Sequence, residues 1–412
     1  MKNKKLWIIS PFSNPTSPDS SDRYRYICQA LTEEGASVCQ FVSIFEHGRK
    51  QYRQLDTLPW RCVTVFEPGY NNNVSIRRIL SHAVFDILIL FYFIRERLRS
   101  GRPDTIFSVL PHNGAACVAA IFAKLSRARF IVDVHDTWPE SILSVYKLNF
   151  ATRIVYRFWK ACADFPLICA DMVFGESKRY AERANNVRNR FGRSPAETIY
   201  IGGDLSYYQT IKVVDIPYEL RDASFIVAYA GTLGENYDLD CIVDAFVEFQ
   251  KECPEAGLMF LGGGEREDFI KNKLVNTSVK AWVSGRIPYY KLIAYLKCSK
   301  VGLNCFKPGG NVAYSYKLND YLLTGLPVIN SLSGESADFV SKYNLGANYK
   351  ASDTSSLLDA LRLCHAQWIK NPNWSDHVRE FAANNLNRKV SYQPLIQSCL
   401  RGYDKKILDE IK

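Results

Sequence analysis

Apolar and polar positions fall into blocks along this chain, and the blocks repeat one pattern. A short apolar run leads into a loop holding Gly, Pro or Ser, then into a segment whose apolar residues recur three and four apart. The first instance runs from LWIIS (Leu6–Ser10) through the loop PFSNPTSPDSSDR to a helical YRYICQALTEEG, ended by Gly35, and a second apolar run, VCQFVSIF. Strand, loop, helix, strand is the opening of a Rossmann-like domain, whose buried parallel strands read as continuous apolar runs. TIFSVLPHNG, the helical AACVAAIFAKL and RFIVDVHDTWPES repeat the unit, and ADMVFGES adds another strand. After a polar, Pro-containing stretch, QTIKVVDIPYELRDAS, the segments FIVAYAGTLGENYDLDCIVDAF, LMFLGGGEREDFIKNKL, VKAWVSGRIPYYKLIAYLKCSK and the strand VGLNCF give four successive strand-Gly-helix units. The pattern predicts an α/β protein of two Rossmann-like domains, residues 1–205 and 206–390, with a partly amphipathic helical segment over 391–412. GxGxxG is absent, so a tightly bound dinucleotide is not expected.

One block departs from the pattern. SHAVFDILILFYFIRERLRS carries an apolar core of about 12 residues with Asp86 inside it, too short for a bilayer span. Arg77, Arg78, Arg95, Arg97, Arg99 and Arg102 flank it, so it reads either as a core-packed helix or as a helix whose basic, aromatic end meets an anionic membrane. A second basic-aromatic helix is expected around Arg153, Tyr156, Arg157, Phe158, Trp159 and Lys160.

Composition narrows the function. The chain has 412 residues, 47% of them apolar, and a formal net charge of +10. That surplus suits anionic partners such as nucleotide diphosphates, lipid phosphates or a membrane face. No zinc-finger, RNP-type or basic-helix pattern points to nucleic acid. Twelve cysteines without a CxxC pair argue against zinc and for a reducing cytoplasm, and no signal peptide is read at the start.

The most informative stretch is VGLNCFKPGGNVAYSYKLNDYLLTGLPVINS, Val301–Ser331. It reads as strand, Gly-containing loop, short helix closed by Gly325, and strand. The helix start at Ser315, Tyr316 and Lys317 offers backbone N–H groups beside Lys307 and Gly310, a ready site for a diphosphate. Asp320, one turn on, can hold a ribose by its hydroxyls. In the amino half, HDTWPES leaves the carboxyl end of strand FIVDV, which places His135 and Asp136 in the crevice where such folds bind ligands. His135 can hydrogen-bond a sugar, and Asp136 or Glu140 can orient an acceptor hydroxyl. The alternative is that His135 is a satisfied core histidine and Asp136 a helix cap. Ser13 and Asn14 are acceptor or phosphate contacts, or simple loop solvation.

KLNDYLLTGLPVI resembles the nucleotide-sugar motif of the retaining glycosyltransferases of the GT-B fold (glycosyltransferase family 4, group 1). AGTL, LGGGE, VSGRIPYYKL and the Lys317–Asp320 block stand in that family's order, and DVHDTWPES resembles the amino-domain segment of its bacterial surface-polysaccharide members. The resemblance implies two Rossmann-like domains facing across a cleft and a terminal helix crossing back to the first. It implies a retaining, metal-independent hexosyltransferase with no cofactor. The donor would be a nucleotide diphospho-sugar, with UDP the expected nucleotide, held by Gly231, Thr232, Gly263, Gly264 and the backbone of Arg286 and Ile287. His135, Asp136 and Lys317 would serve catalysis. The acceptor would be a polyprenyl-diphosphate-linked glycan of capsule or O-antigen assembly at the inner face of the plasma membrane. Two alternatives are a UDP-sugar 2-epimerase and a non-catalytic subunit of a polysaccharide assembly complex. The chain departs from the family at three points: Thr232 and Tyr237 stand where an Arg and a Lys are usual, and Val312 where a second Glu is. Asp238-Leu239-Asp240 is formally a DxD, read here as a helix cap rather than a metal site.

Overall fold

The computed structural model describes residues 4–16, 22–72, 75–144, 148–309 and 312–401. The chain divides into two compact units, one running to Tyr200 and resumed at Tyr392, the other Ile201–Ser391.

The first unit holds strands β1 (Lys5–Ile9), β2 (Ser37–Ser43), β3 (Phe45–Glu46), β4 (Gln51–Tyr52), β5 (Arg61–Val65), β6 (Thr105–Leu110), β7 (Arg129–Val134), β8 (Met172–Gly175) and β9 (Glu197–Thr198). Seven of them form a parallel sheet in the order β5-β2-β1-β6-β7-β8-β9, and β3 and β4 make a small antiparallel ribbon. Period-two alternation sends neighbouring side chains to opposite faces. Trp7 and Ile9 thus join a core with Phe41, Phe85 and Phe93, while Leu6 and Ile8 join another with Tyr24, Phe107 and Ile131. Burial on both faces is why these strands are continuous apolar runs. The helix Gln393–Arg401 closes the second core through Leu395 and Ile396. Thr105 Oγ1 donates to the Cys399 carbonyl at 3.1 Å.

The second unit holds β10 (Phe225–Ala230), β11 (Ala256–Leu261), β12 (Ala281–Val283), β13 (Val301–Asn304), β14 (Val328–Asn330) and β15 (Gly346–Asn348), all parallel, in the order β12-β11-β10-β13-β14-β15. Each sheet therefore reverses its winding direction once, at β1/β6 in the first unit and β10/β13 in the second. The carboxyl ends of strands at such a reversal leave a crevice between diverging loops, the usual ligand position of open α/β sheets.

The apolar block of the sequence forms one helix, Ile76–Ser100, that begins on a Ser75 cap and ends at Gly101. Only one stripe, Ser81, Phe85, Ile89, Phe93 and Glu96, is buried. Leu80, Ile87, Phe91 and Leu98 are exposed, Leu98 by 84%. The core-helix reading thus holds for one side of the helix, and the other side is exposed. Among the described residues no helix is long and apolar enough to cross a membrane.

Candidate functional site

In the second unit the reversal brings together the loops after β10 and β13. Tyr237 bridges Phe306 in an antiparallel pair, and Lys307 N–H donates to the Asn236 carbonyl at 3.0 Å. Lys317 reaches this point from the first turn of the helix Tyr316–Thr324. Its Nζ donates to Tyr229 Oη at 2.9 Å and lies 3.4 Å from the Tyr237 ring centroid, 4.3 Å from Tyr229 and 5.0 Å from Phe306. Three ring faces thus stand around one ammonium, a favourable place for a cation. Burial nevertheless pushes Lys317 down to about 7, and the thiol of Cys305 opposes it only in part.

Gly231 is what lets the lysine stem pass. Its φ is +132°, and a Cβ there would come 2.5 Å from Lys317 Cε. Gly264 is equally constrained, since a Cβ would meet the Leu233 carbonyl oxygen at 2.4 Å. Leu233 N–H donates to the Gly263 carbonyl at 3.1 Å, so the loop after β10 lies on the glycines after β11. A Cβ on Gly263 would stand 3.2 Å from the Arg286 amide nitrogen, and the Gly262–Gly285 bridge holds that segment in place. Gly231, Thr232, Gly263, Gly264, Arg286 and Lys317 thus belong to one cluster of strand-end loops; Ile287 follows Arg286 in chain. The Arg286 side chain is exposed.

Other expected donor residues are differently employed. Lys307 pairs with Glu235 at 3.2 Å, and Arg266 approaches the same carboxylate at 3.3 Å. Ser315 stands at the helix start but its hydroxyl makes no cap bond, and Tyr316 is exposed. Gly310 lies outside the described residues. Asp320 Oδ1 accepts from Tyr208 Oη and Tyr289 Oη, each at 2.7 Å, and the two hydroxyls are 2.8 Å apart. Oδ1 is thus already engaged by two phenols. Asp238 sits at a helix start without capping it, a correction to the cap reading: its carboxylate accepts from the Ser352 amide at 2.6 Å and from Tyr349 Oη at 3.1 Å. Asp240 pairs with Arg266 at 2.8 Å, which with Lys273 holds its carboxyl below the usual range despite the opposing effect of burial.

In the first unit, His135 follows β7 and Glu176 follows β8, both at the carboxyl edge. His135 Nε2 lies 2.7 Å from Glu176 Oε2. Burial pulls the imidazole down, but the carboxylate outweighs it and the net shift is upward. Beneath them Asp133, fully buried, accepts from Arg23 at 3.2 Å and Tyr24 Oη at 3.1 Å. Sequence reasoning missed Glu176, though the rule that singled out His135, position just past a strand end, applies to it equally.

The remaining carboxylates expected near the acceptor already have partners within the first unit. Asp136 Oδ1 accepts from Thr137 N–H at 2.6 Å and Ser141 Oγ at 3.2 Å, so it caps the following turn. Glu140 Oε1 lies 3.0 Å from Lys160 Nζ and 2.9 Å from Arg183, in a network with Asp164. These cations lower its carboxyl against burial, and its work is to tie two helices together. Ser13 is buried and donates to Asp22, while the Asn14 amide also donates to Asp22 and its side chain accepts from Thr16. Both are tied to Asp22, the cap of the helix Arg23–Glu33.

No family model matches the chain, and no curated protein matches it. Solved structures do. Sucrose-phosphate synthase from Thermosynechococcus elongatus is similar with a TM-score of 0.67 and 16% identity, over 96% of this chain and 98% of that one. HepE from Anabaena, solved in complex with UDP, gives 0.64 and 12% over 96% and 99%. A Listeria monocytogenes protein described as a candidate UDP-N-acetylglucosamine 2-epimerase gives 0.59 and 12% over 97% and 98%. The fold is GT-B. At these identities the likeness is one of fold, and the GT-B scaffold alone does not separate transfer from epimerisation.

Proposed function

We propose that the chain is a retaining glycosyltransferase that moves a sugar from a UDP-linked donor to a lipid-linked saccharide acceptor, in surface polysaccharide assembly at the inner membrane face. The observation that carries this reading is Lys317, a cation in a ring cage at the β10/β13 reversal, on the first turn of a helix whose Ser315 makes no cap bond. Amides at a helix start and one adjacent ammonium are suited to a diphosphate. The base would lie against the backbone of Arg286 and Ile287.

The reaction breaks the bond between the anomeric carbon and the diphosphate oxygen. It forms one from that carbon to the acceptor oxygen, on the same face. Negative charge grows on the departing diphosphate, where Lys317 and the amides stabilise it. The acceptor's proton passes to the departing phosphate oxygen, as the family resemblance implies. Glu176 orients His135, and the family resemblance implies that such a histidine steadies the sugar while positive character builds on its ring. No step calls for a divalent metal or a cofactor. The arginines and exposed apolar residues of the helix Ile76–Ser100 suit a peripheral contact with anionic lipid.

Epimerisation is the second reading, favoured by the Listeria neighbour. Incubating the chain with a panel of nucleotide sugars, with and without a lipid-linked glycan, separates the two. UDP released only with acceptor supports transfer, and an epimerised donor without acceptor refutes it. Retained binding with no turnover in either condition points to the non-catalytic subunit. Arg→Glu changes at Arg95, Arg97 and Arg99 test the membrane contact; unchanged recovery on anionic vesicles removes that patch from the account.

A further inference from the structure

The first unit has its own crevice at its winding reversal, and none of the residues discussed above for donor or sugar occupies it. The loops after β1 and β6 meet there: the Phe12 ring lies 5.7 Å from His112 and 5.8 Å from His82. A cavity of about 560 Å³ opens beside them, between the helices Ile76–Ser100 and Phe150–Cys169. Its walls are mostly apolar, with Ile79, Ala83, Trp138, Val155, Phe158 and Trp159 among them. Ile76 of its lining is exposed, and so are Ile154 and Phe150 on the second of these helices.

The polar end is small and unusual. His82 and His112 stack with centroids 4.5 Å apart at 19°. His112 is 1% exposed, and among the described residues its Nε2 has no hydrogen-bond partner. Glu67 lies close enough to suggest a metal triad with the two histidines. Nearly parallel rings, however, aim their in-plane lone pairs side by side rather than at one point, which is poor geometry for a shared ion. Burial and the neighbouring His112, Arg78 and His47 push His82 down to about 2, so it stands neutral. Two carboxylates stand at this end: Glu67, 3.6 Å from His82 Nε2 and already accepting from Ser81 Oγ, and Asp86, 3.1 Å from His112 Nδ1 and over Gly114 at the start of the helix Asn113–Ser126, where a helix terminus favours its charge. The cation is Arg78, whose Nε donates to His82 at 3.4 Å and whose guanidinium lies 5.8 Å from the Tyr70 and Trp138 rings.

An apolar cavity of this size with one guanidinium in its wall fits a hydrocarbon chain ending in a phosphate. We infer that this pocket takes the lipid end of the acceptor, an isoprenoid chain with its diphosphate at Arg78 and His112. The choice of an isoprenoid over another phosphorylated lipid rests on the transferase reading above; the pocket's chemistry does not.

Farnesyl diphosphate is a soluble probe for the full chain, read by calorimetry and by quenching of Trp138 and Trp159. Saturable binding is expected. Val155→Trp, on the exposed cavity wall, should weaken it by about tenfold or more while UDP affinity stays within about twofold. Arg78→Gln should weaken farnesyl diphosphate but not farnesol. Inorganic pyrophosphate binding as tightly as the prenyl compound, or indifference to Val155→Trp, overturns the pocket. Lysophosphatidate competing on equal terms overturns the isoprenoid assignment. If no donor is turned over yet farnesyl diphosphate binds with this variant pattern, the pocket stands and the transferase reading falls. If a lipid-linked glycan is glycosylated with the same KM in Val155→Trp, the reverse holds.

Discussion

Lys317 offers the sharpest test, because its burial makes the proposed donor site depend on pH where an ordinary lysine would not. With the ammonium pushed down to about 7, roughly half the free protein carries the charge at pH 7 and about one molecule in a hundred at pH 9. A diphosphate beside the ammonium favours its charged form. Two unit charges about 4 Å apart at an effective dielectric constant near 20 attract by roughly 4 kcal/mol, a factor of about 10³ in binding. That exceeds the cost of protonating the lysine at pH 9, so protonation sets the limit. Affinity for a UDP-sugar should fall about a hundredfold between pH 6 and pH 9, and binding at pH 8.5 should take up nearly one proton. UDP-glucose is the suitable probe, since its diphosphate diester does not itself titrate in this window. Calorimetry in two buffers of different ionisation enthalpy reads both quantities.

Lys317→Met separates function from scaffolding. It should abolish the pH dependence and the proton uptake. It should also stabilise the chain at pH 6 by roughly 1–4 kcal/mol, because a buried ammonium is replaced by an apolar side chain of similar length. The sign follows from the direction of the shift: a lysine whose folded value lies below its ordinary one costs stability at low pH, and the cost fades as pH rises from about 7 towards the ordinary lysine range. The advantage of the Met variant should close over that window. Wild-type affinity that stays flat from pH 6.5 to 9 without proton uptake, or a Met variant with the same pH slope, refutes the reasoning.

Gly231→Ala should lower donor affinity by about tenfold or more through displacement of Lys317, at a folding cost of roughly 1–3 kcal/mol from its positive φ; unchanged UDP affinity removes the link between that glycine and the lysine. Glu176→Gln should move the His135 titration, followed by NMR, downward. Because the histidine is raised in the folded chain, the stability this pair contributes is fully present below the ordinary histidine value and lost as pH rises through the raised one, so the variant's deficit in urea unfolding should shrink with rising pH. Asp320→Ala strands two tyrosine hydroxyls and should cost roughly 2–4 kcal/mol in urea unfolding, against about 1 kcal/mol for Tyr208→Phe; equal costs refute a shared acceptor.

Elements that depend on local pattern were legible in the sequence. Buried parallel strands such as Phe225–Ala230 show as apolar runs, and Gly325 marks the end of its helix because the left-handed conformation there, φ +83°, is cheap for glycine. Lys317 was legible from its place at a helix start. Its cage was not, since Tyr229 and Phe306 reach it only through the pairing of β10 with β13. Tyr237 read as a lost cation; in the fold its ring faces the cation that remains. The phenols on Asp320 were not legible for the same reason, because they lie at positions 208 and 289 and arrive by packing. The helix Ile76–Ser100 shows the limit from the other side. Its apolar residues outnumber one buried stripe, and nothing in their spacing says which stripe meets the sheet.

The aromatic substitution has a consequence for how charge is shared. Lys307 and Arg266 are committed to Glu235, Asp240 is committed to Arg266, and the arginine usual after the first strand is Thr232. On the proposed reading the growing charge of the leaving diphosphate therefore falls mainly on Lys317 and the helix amides. A ring cage can stabilise an ammonium without supplying a competing anion, which a carboxylate partner would do. The lysine's charge is then available to the diphosphate rather than neutralised beforehand. Burial sets the opposing cost, and the balance leaves the free site half charged near neutrality and fully charged when occupied. A chain that had kept the usual Arg and Lys would bind its donor with no such coupling to protons, which makes proton uptake the observation that ties these aromatic residues to function rather than to packing.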